Sequence, residues 1–389
     1  MSLPRIGKSW LGFQLVLLAL AGCDRTGGAG SDGDVIRIGL AGPMEASYGV
    51  SVREGAELAI EEANARGGVA GRRIELVVRD DAGDEARAIE IATAMVSDES
   101  IVAVVGHVNS GTTRAAARVY NDEARPLLEL SPTATSAELS AAGPWTFRVC
   151  PTDLRHGPAL AEWARGSLSV QRAAVLYAND AYGRGMLESF ARAFVGGGGR
   201  LVATDPYLPA LVDSMELLRP YLERALARGS QLFMIAGELD VALPTLELLR
   251  SMGFDGPLVG GDGLLGMEEE APDARAVYIT TGFLPDQPGA NAQRFVEAYR
   301  ARYGALPTGD AALAYDAVNV VLLAIEQAGT SRRAVRDFVA GIGTATPPYA
   351  GATGSIAFDE NGDAVNKEVV VGTIRAGRLV SAHAVAAGR

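Results

Sequence analysis

Short apolar strands alternate with amphipathic helical segments along most of this chain. The run VIRIGLAG (35–42) has the continuous apolar character of a buried strand, and small and branched apolar residues then recur at helical spacing through 52–63. Further strand and helix pairs follow it. This alternation predicts parallel sheets covered by helices on both faces, and therefore an α/β fold.

The strands fall into two series, each followed by turn residues. The first series comprises 35–42, 73–81, 101–108 and 125–131, and the second comprises 172–180, 200–207, 231–238 and 257–262. Helices are predicted at 213–228, 244–252 and 311–329, a hairpin or loop at 354–363, and two strands around a glycine turn within 367–382. At 389 residues the chain is too long for one ordinary core, so we expect two similar lobes.

Composition and charge exclude several classes of protein. Hydrophobic residues make up 48% of the chain and charged residues 21%, which is typical of a globular protein. The formal net charge is −12, whereas nucleic-acid binding requires basic patches. We therefore expect no nucleic-acid partner.

The first 34 residues differ from the rest of the chain. Two cations precede an apolar run at 15–21 that is too short to span a bilayer but suits a signal-peptide core. The run ends in LAGC, which resembles a bacterial lipobox, so we predict a signal peptide over 1–22, lipidation of Cys23 and a Gly-rich tether over 23–34. The alternatives are an uncleaved anchor or a cysteine placed there by chance. Cys150 is the other cysteine and is interpreted as an inert packed thiol.

Hydroxyl groups follow two strands of the first series. Asn109-Ser110-Gly111-Thr112-Thr113 comes after one of them, and Ser110 is predicted to be the N-cap of the next helix, whose amides would form an anion site. SPTATS (131–136) follows the next strand, so a carboxylate could bind to Ser110, Thr135 and the amides together. Alternatively, Thr135 caps the segment after it, and Ser131-Pro132 is an ordinary turn.

Carboxylates follow two strands of the second series. Glu238 comes after QLFMIAG and Asp262 after PLVGG, where either could face a ligand ammonium. Alternatively, Asp262 is a turn residue and Glu238 is a solvated acid. Tyr48 and Tyr182 lie in loops and could cover the apolar part of a ligand, although such tyrosines are often packing residues. Donors from one lobe and acids from the other would complement an α-amino acid zwitterion.

The ordered set of these motifs resembles the periplasmic substrate-binding proteins of branched-chain amino acid ABC transporters, the Leu/Ile/Val-binding class. The matching stretches run in order from about 36 to 375 and are IRIGLAGPM, YGVSVREGAELAIEEANARGGVAGRRIELVVRDDAGD, VVGHVNSGTT, LLELSPTATSAEL, YGRG, VGGDG and YDAVNVVLLAI. The resemblance implies a type I periplasmic binding protein fold with two Rossmann-like lobes joined by three hinge crossovers. Lobe one would comprise 35–152 plus 282–371, and lobe two 153–281 plus 372–389.

The resemblance also implies roles for individual residues. Ser110 would bind the α-carboxylate, and Thr133 would contribute its backbone. Thr135 would bind the amino and carboxyl groups, and Asp262 would bind the α-ammonium. The positions that would pack on the ligand are Tyr48 and Tyr182.

The chain departs from the family at two places. Glu238 stands where the family often has an aromatic residue, and Gly83 and Asn109 occupy the likely positions of a common disulfide. Because an unpaired buried carboxylate is costly, a second acid in the cleft disfavours a purely aliphatic side chain. We therefore hypothesise that the ligand is a polar or cationic amino acid, or an amide or urea-like relative, ahead of leucine.

These observations predict an exported, lipid-anchored solute-binding protein that closes on its ligand and delivers it to an ABC permease. An enzyme is disfavoured because the chain has three histidines and no H-E-x-x-H, CxxC or G-x-S-x-G motif, and no cofactor or metal is expected. GRGMLE (183–188) is only a partial dinucleotide motif. The alternative function is a ligand-sensing module for an amino acid, amide or urea-like compound that serves a receptor or regulator.

Overall fold

The computed structural model describes residues 1–2, 35–209 and 215–383. The predicted signal peptide, Cys23 and the tether lie outside the described residues.

The first sheet is fully parallel and has the strand order β2-β1-β3-β4-β5. Its strands are β1 (Val35–Gly42), β2 (Arg73–Asp80), β3 (Ile101–Val105), β4 (Leu128–Ser131) and β5 (Thr146–Arg148). The helices that connect them are α1 (Ser47–Ala65), α2 (Glu85–Ser97) and α3 (Ser110–Tyr120), and a short 3₁₀ helix spans Ala137–Ala141. Strands β3 and β4 are buried at every position, as a sheet covered on both faces requires.

The second sheet has the order β14-β13-β10-β9-β8-β6-β7. Its strands are β6 (Arg172–Ala178), β7 (Arg200–Tyr207), β8 (Leu232–Ala236), β9 (Leu258–Gly260), β10 (Val277–Thr281), β13 (Val370–Arg375) and β14 (Arg378–Ser381). Its helices are α4 (Asp153–Glu162), α5 (Ala181–Gly196), α6 (Arg219–Ala227), α7 (Leu239–Ser251) and α8 (Met267–Glu270). Strands β13 and β14 are antiparallel, whereas the other strands pair in parallel.

Three further helices return to the first sheet. They are α9 (Ala290–Tyr303), α10 (Gly309–Ala328) and α11 (Arg332–Gly341), and the hairpin β11 (Tyr349–Gly351) and β12 (Gly354–Ile356) follows them. Helix α10 is the one described helix long and apolar enough to cross a membrane. It packs against α1 and the first sheet, and most of its side chains are buried, which identifies it as a core helix.

The chain therefore passes between the two sheets three times, at 149–152, at 282–289 and between 357 and 369. This arrangement confirms the predicted fold of two Rossmann-like lobes joined by three crossovers. The lobe boundaries themselves stay a prediction.

Several predicted element bounds were wrong by a few residues. Helix α7 begins at Leu239 and not at 244, so that Pro244 lies inside it, and the described part of the predicted helix at 213–228 forms a 3₁₀ turn followed by α6. Strand β3 ends at Val105 and not at 108. The next residue, Gly106, has a φ of 129°, and a Cβ there would lie 2.2 Å from the carbonyl oxygen of Ala41.

Close packing of α1 on α10 gives a testable prediction. A Cβ on Gly55 would lie 2.0 Å from the carbonyl oxygen of Ala311, so Gly55→Ala must push the two helices apart. We expect a loss of about 2 kcal/mol in the free energy of unfolding, measured by urea denaturation. The matched control is Gly196→Ala in α5, where a Cβ would meet nothing within 4 Å; equal effects of the two substitutions would contradict the packing.

Candidate ligand-binding site

The first wall of the site is the N-terminus of α3, which lies at the carboxyl edge of the first sheet. The N-cap is Asn109 and not Ser110 as predicted; Ser110 is the first helical residue, and its Oγ accepts a hydrogen bond from Ser136 N–H at 3.2 Å. The hydroxyls of Thr112 and Thr113 donate to the Asn109 carbonyl at 3.0 and 2.8 Å. Ser110 Oγ donates to no group among the described residues, so its O–H is available beside the unpaired amides of the first helical turn.

The loop after β4 lies against this helix terminus. Thr133 Oγ1 donates to the Val108 carbonyl at 3.0 Å, so the Thr133 hydroxyl proton is used within the protein. Its backbone N–H donates to no protein group in the described chain. Ser136, and not Thr135, caps the following 3₁₀ helix, because its Oγ accepts from Glu138 N–H at 3.3 Å.

The opposite wall comes from the second sheet. Tyr182, at the start of α5, donates through its hydroxyl to Asp262 Oδ1 at 3.1 Å and accepts from Gly263 N–H at 3.1 Å. These bonds fix the carboxylate at the end of β9. Gly263 is required here because a Cβ would lie 2.6 Å from the Gly237 carbonyl oxygen and 3.0 Å from Glu238 Oε2.

One polar contact crosses between the two walls. Asn109 Nδ2 lies 3.1 Å from Tyr48 Oη and 3.5 Å from Glu238 Oε1. Asn109 and Tyr48 belong to elements of the first sheet and Glu238 to the N-cap of α7 in the second. The two lobes thus meet across the site in this conformation.

Between the walls lies a cavity of about 30 Å³, which is room for about two water molecules. Its lining includes six of the seven predicted ligand residues, with Thr135 outside it. The lining residues are Tyr48, Val108, Asn109, Ser110, Thr133, Tyr182, Glu238, Asp262, Gly263 and Asp310.

Thr135 lies beside the cavity and not in its wall. It is fully buried, its carbonyl accepts from Asp153 N–H at 2.9 Å, and its hydroxyl has no hydrogen bond of good geometry. Burial is the main cause of a raised pKa of about 8 for the Asp153 carboxyl; the nearby Asp262 contributes to the rise, whereas Thr135 and Arg148 oppose it. The predicted contact of Thr135 with a ligand stays a prediction.

Sequence reasoning missed Asp310 and Asn109 as wall residues. Asp310 lies in the first turn of α10, and Asn109 was named as the first residue after a strand and as a likely disulfide position, without a binding role. Two further buried residues, His156 and Thr280, lie behind the site. His156 faces Asp262 and has Nδ1 3.1 Å from Thr280 Oγ1, and its pKa is lowered by burial.

The three carboxyl groups of the wall repel one another and are poorly hydrated. Burial raises the pKa of Glu238 well above its usual range, and Asp262 adds to the effect. Burial likewise raises the pKa of Asp310 and of Asp262, although His156 and Tyr182 offset part of the rise at Asp262. The site therefore favours a bound cation, because a positive charge would stabilise the ionised forms of these carboxyl groups.

Cys150 is buried and unpaired, and burial raises its thiol pKa, which fits an inert packing role. Within the described residues no group of three or more His, Cys, Asp or Glu side chains is arranged to hold a metal.

Comparison with known proteins agrees with this architecture. The family model described as periplasmic binding protein matches residues 35–378. The leucine-, isoleucine-, valine-, threonine- and alanine-binding protein of Pseudomonas aeruginosa is 32% identical over 349 residues, covering 87% of this chain and 89% of that protein.

Solved structures show the same fold. A branched-chain amino acid transporter substrate-binding protein from Streptococcus pneumoniae, in complex with isoleucine, has a TM-score of 0.81 at 28% identity and covers 89% of this chain and 98% of its own. An ABC transporter substrate-binding protein from Desulfitobacterium hafniense, in complex with leucine, has a TM-score of 0.76 at 29% identity, with coverages of 89% and 99%.

These proteins bind solutes and are not enzymes, and the family is extracytoplasmic. The predicted family, fold and lack of enzymatic activity are thereby confirmed. The chain belongs to the periplasmic binding protein family, with a type I fold like that of the branched-chain amino acid-binding proteins.

Proposed function

We propose that this protein captures an amino acid between its two lobes and delivers it to an ABC permease. The observation that carries the proposal is the composition of the cavity wall: hydrogen-bond donors at the α3 terminus face carboxylates of the second lobe. An α-amino acid has a carboxylate and an ammonium on one carbon. The two walls complement these two groups.

Lobe one would bind the α-carboxylate. The Ser110 hydroxyl, the Thr133 N–H and the first amides of α3 are donors at one place, and the helix dipole adds a favourable field there. Charge-assisted hydrogen bonds contribute about 1.5–3 kcal/mol each, so a few of them supply the roughly −8 kcal/mol of micromolar binding after ordering costs.

Lobe two would bind the α-ammonium through Asp262, whose position Tyr182 and Gly263 fix. The 3.5 Å approach of Asn109 to Glu238 supports a closing motion in which the lobes meet around the ligand. Tyr48 and Tyr182 would cover the bound molecule.

The family's extracytoplasmic location supports the remaining parts of the proposal. The LAGC motif would place a lipid on Cys23, and the Gly-rich tether would keep the protein near the membrane that holds its permease. Palmitate labelling in the bacterial host, abolished by Cys23→Ser, would test the anchor.

The central experiment is isothermal titration of the protein with each of the twenty amino acids, comparing the wild type with Ser110→Ala. We expect at least one amino acid to bind, and Ser110→Ala to weaken its binding about 10- to 100-fold through loss of one charge-assisted bond. Ser97→Ala, an exposed hydroxyl on the same lobe, is the control and should bind normally. Absence of binding by every amino acid would contradict the proposed function.

A further inference from the structure

Asp310 lies in the first turn of a helix but faces the ligand cavity. It is 6% exposed, and its carboxylate has no hydrogen bond or ion pair among the described residues. Acids in a first helical turn are ordinarily stabilised by the helix dipole at the surface. A buried carboxylate without a partner is costly, so the position of Asp310 is explained best by a positive charge that arrives with the ligand.

The cavity has more negative groups than the α-ammonium of an amino acid can neutralise. Among the described residues, its wall contains Asp262, Glu238 and Asp310 and no Lys, Arg or His. If Asp262 binds the α-ammonium, two carboxyls remain. An apolar ligand side chain would bury both without a counter-charge, which is unfavourable.

The groove next to the cavity has the same charge bias. It measures about 690 Å³, shares Tyr48 and Glu238 with the cavity, and is lined by residues of both lobes. No cationic side chain of the described structure lines this groove, and four of its five acids have no ion pair there. The four unpaired acids are Glu45, Glu238, Asp240 and Glu270. Asp80, the fifth, pairs with Arg87 at 3.3 Å. Such a groove concentrates cations at its mouth.

We propose that the ligand is an amino acid with a positively charged side chain, whose ammonium or guanidinium group binds to Asp310 and Glu238 while Asp262 holds the α-ammonium. This inference rests on the proposed function and narrows its ligand class. Burial raises the pKa of Asp310, with Asp262 and Glu268 adding to the rise, and a bound cation would favour the ionised form of this carboxyl.

The test is isothermal titration with L-arginine, L-lysine, L-ornithine, L-citrulline and L-leucine. Citrulline is the decisive probe because it matches arginine in shape and lacks the charge. We expect at least one of the three cationic amino acids to bind at least 30-fold more tightly than citrulline and leucine. Asp310→Asn should weaken that binding at least 10-fold and leave citrulline or leucine binding unchanged or stronger, which a purely structural role of Asp310 would not produce.

Asp273→Asn, an exposed acid outside the cleft, is the control and should bind as the wild type does. Citrulline or leucine binding as tightly as every cationic amino acid would overturn this inference and leave the proposed function standing. So would an unchanged preference for the cationic ligand in Asp310→Asn. Failure of all twenty amino acids to bind would overturn the proposed function and this inference together.

Discussion

Asp262→Asn is expected to weaken binding of the amino acid ligand about 30-fold or more. The amide keeps the shape of the carboxylate, and its oxygen can still accept from Tyr182, but it loses the charge that faces the α-ammonium. Removing one partner of a buried charge pair costs about 2–5 kcal/mol, which corresponds to at least 30-fold in affinity. Isothermal titration with the amino acid that binds the wild-type protein measures this effect directly.

The same substitution is expected to stabilise the unliganded protein. Burial raises the pKa of Asp262, and Asp262 in turn raises the pKa of Glu238 and Asp310, so an uncharged residue removes repulsion from the wall. The melting temperature without ligand should rise while affinity falls. Loss of both stability and affinity would indicate a folding defect, and unchanged affinity would contradict the role of Asp262; Asp273→Asn serves as the surface control.

Asp153→Asn is expected to stabilise the unliganded protein in a pH-dependent way. The folded-state pKa of Asp153 is raised to about 8, so between about pH 4 and pH 8 the native state binds more protons at this site than the unfolded state. The contribution of Asp153 to the free energy of unfolding therefore falls as pH rises through that window. The groups that face it are Thr135, Arg148, Asp180 and Asp262.

The stability advantage of the Asn variant should accordingly be largest near pH 8 and shrink by about 1.4 kcal/mol for each unit of lower pH. In a thermal melt this change in stability corresponds to a shift in Tm on the order of 2 °C per pH unit. Comparison of variant and wild type at each pH cancels the opposite contribution of His156, whose pKa is lowered by burial. A constant difference between pH 5.5 and pH 7.5 would show that Asp153 does not titrate in that range.

The sequence was sufficient to predict the fold because its strands are continuous apolar runs separated by helical periodicity. Strand ends were less predictable where backbone packing decides them. The apolar residues after Val105 extend the pattern of β3, but the close approach of Gly106 to Ala41 turns the chain. The helix predicted at 244–252 begins five residues earlier, at Leu239, and its apolar residues pack on the second sheet.

Residues directly after strands were predictable as site candidates, because parallel strands direct their carboxyl ends to one edge. Asp310 was not, since an acid just after Thr308 is also the ordinary pattern of a capped helix start. Asp310 lies in the cavity wall next to Ala311, where α10 packs closely against Gly55 of α1, and this tertiary contact is not visible in the local pattern. Likewise, the sequence does not decide whether Thr135 or Ser136 caps the 3₁₀ helix, because both carry a hydroxyl and only the backbone geometry distinguishes them.

The most direct test of the account is a crystal structure of the protein bound to the amino acid that titration identifies. We predict that the ligand carboxylate lies within hydrogen-bond distance of Ser110 Oγ and Thr133 N–H, and that its α-ammonium contacts Asp262. A ligand bound in the reverse orientation, or outside the gap between the two lobes, would contradict the account.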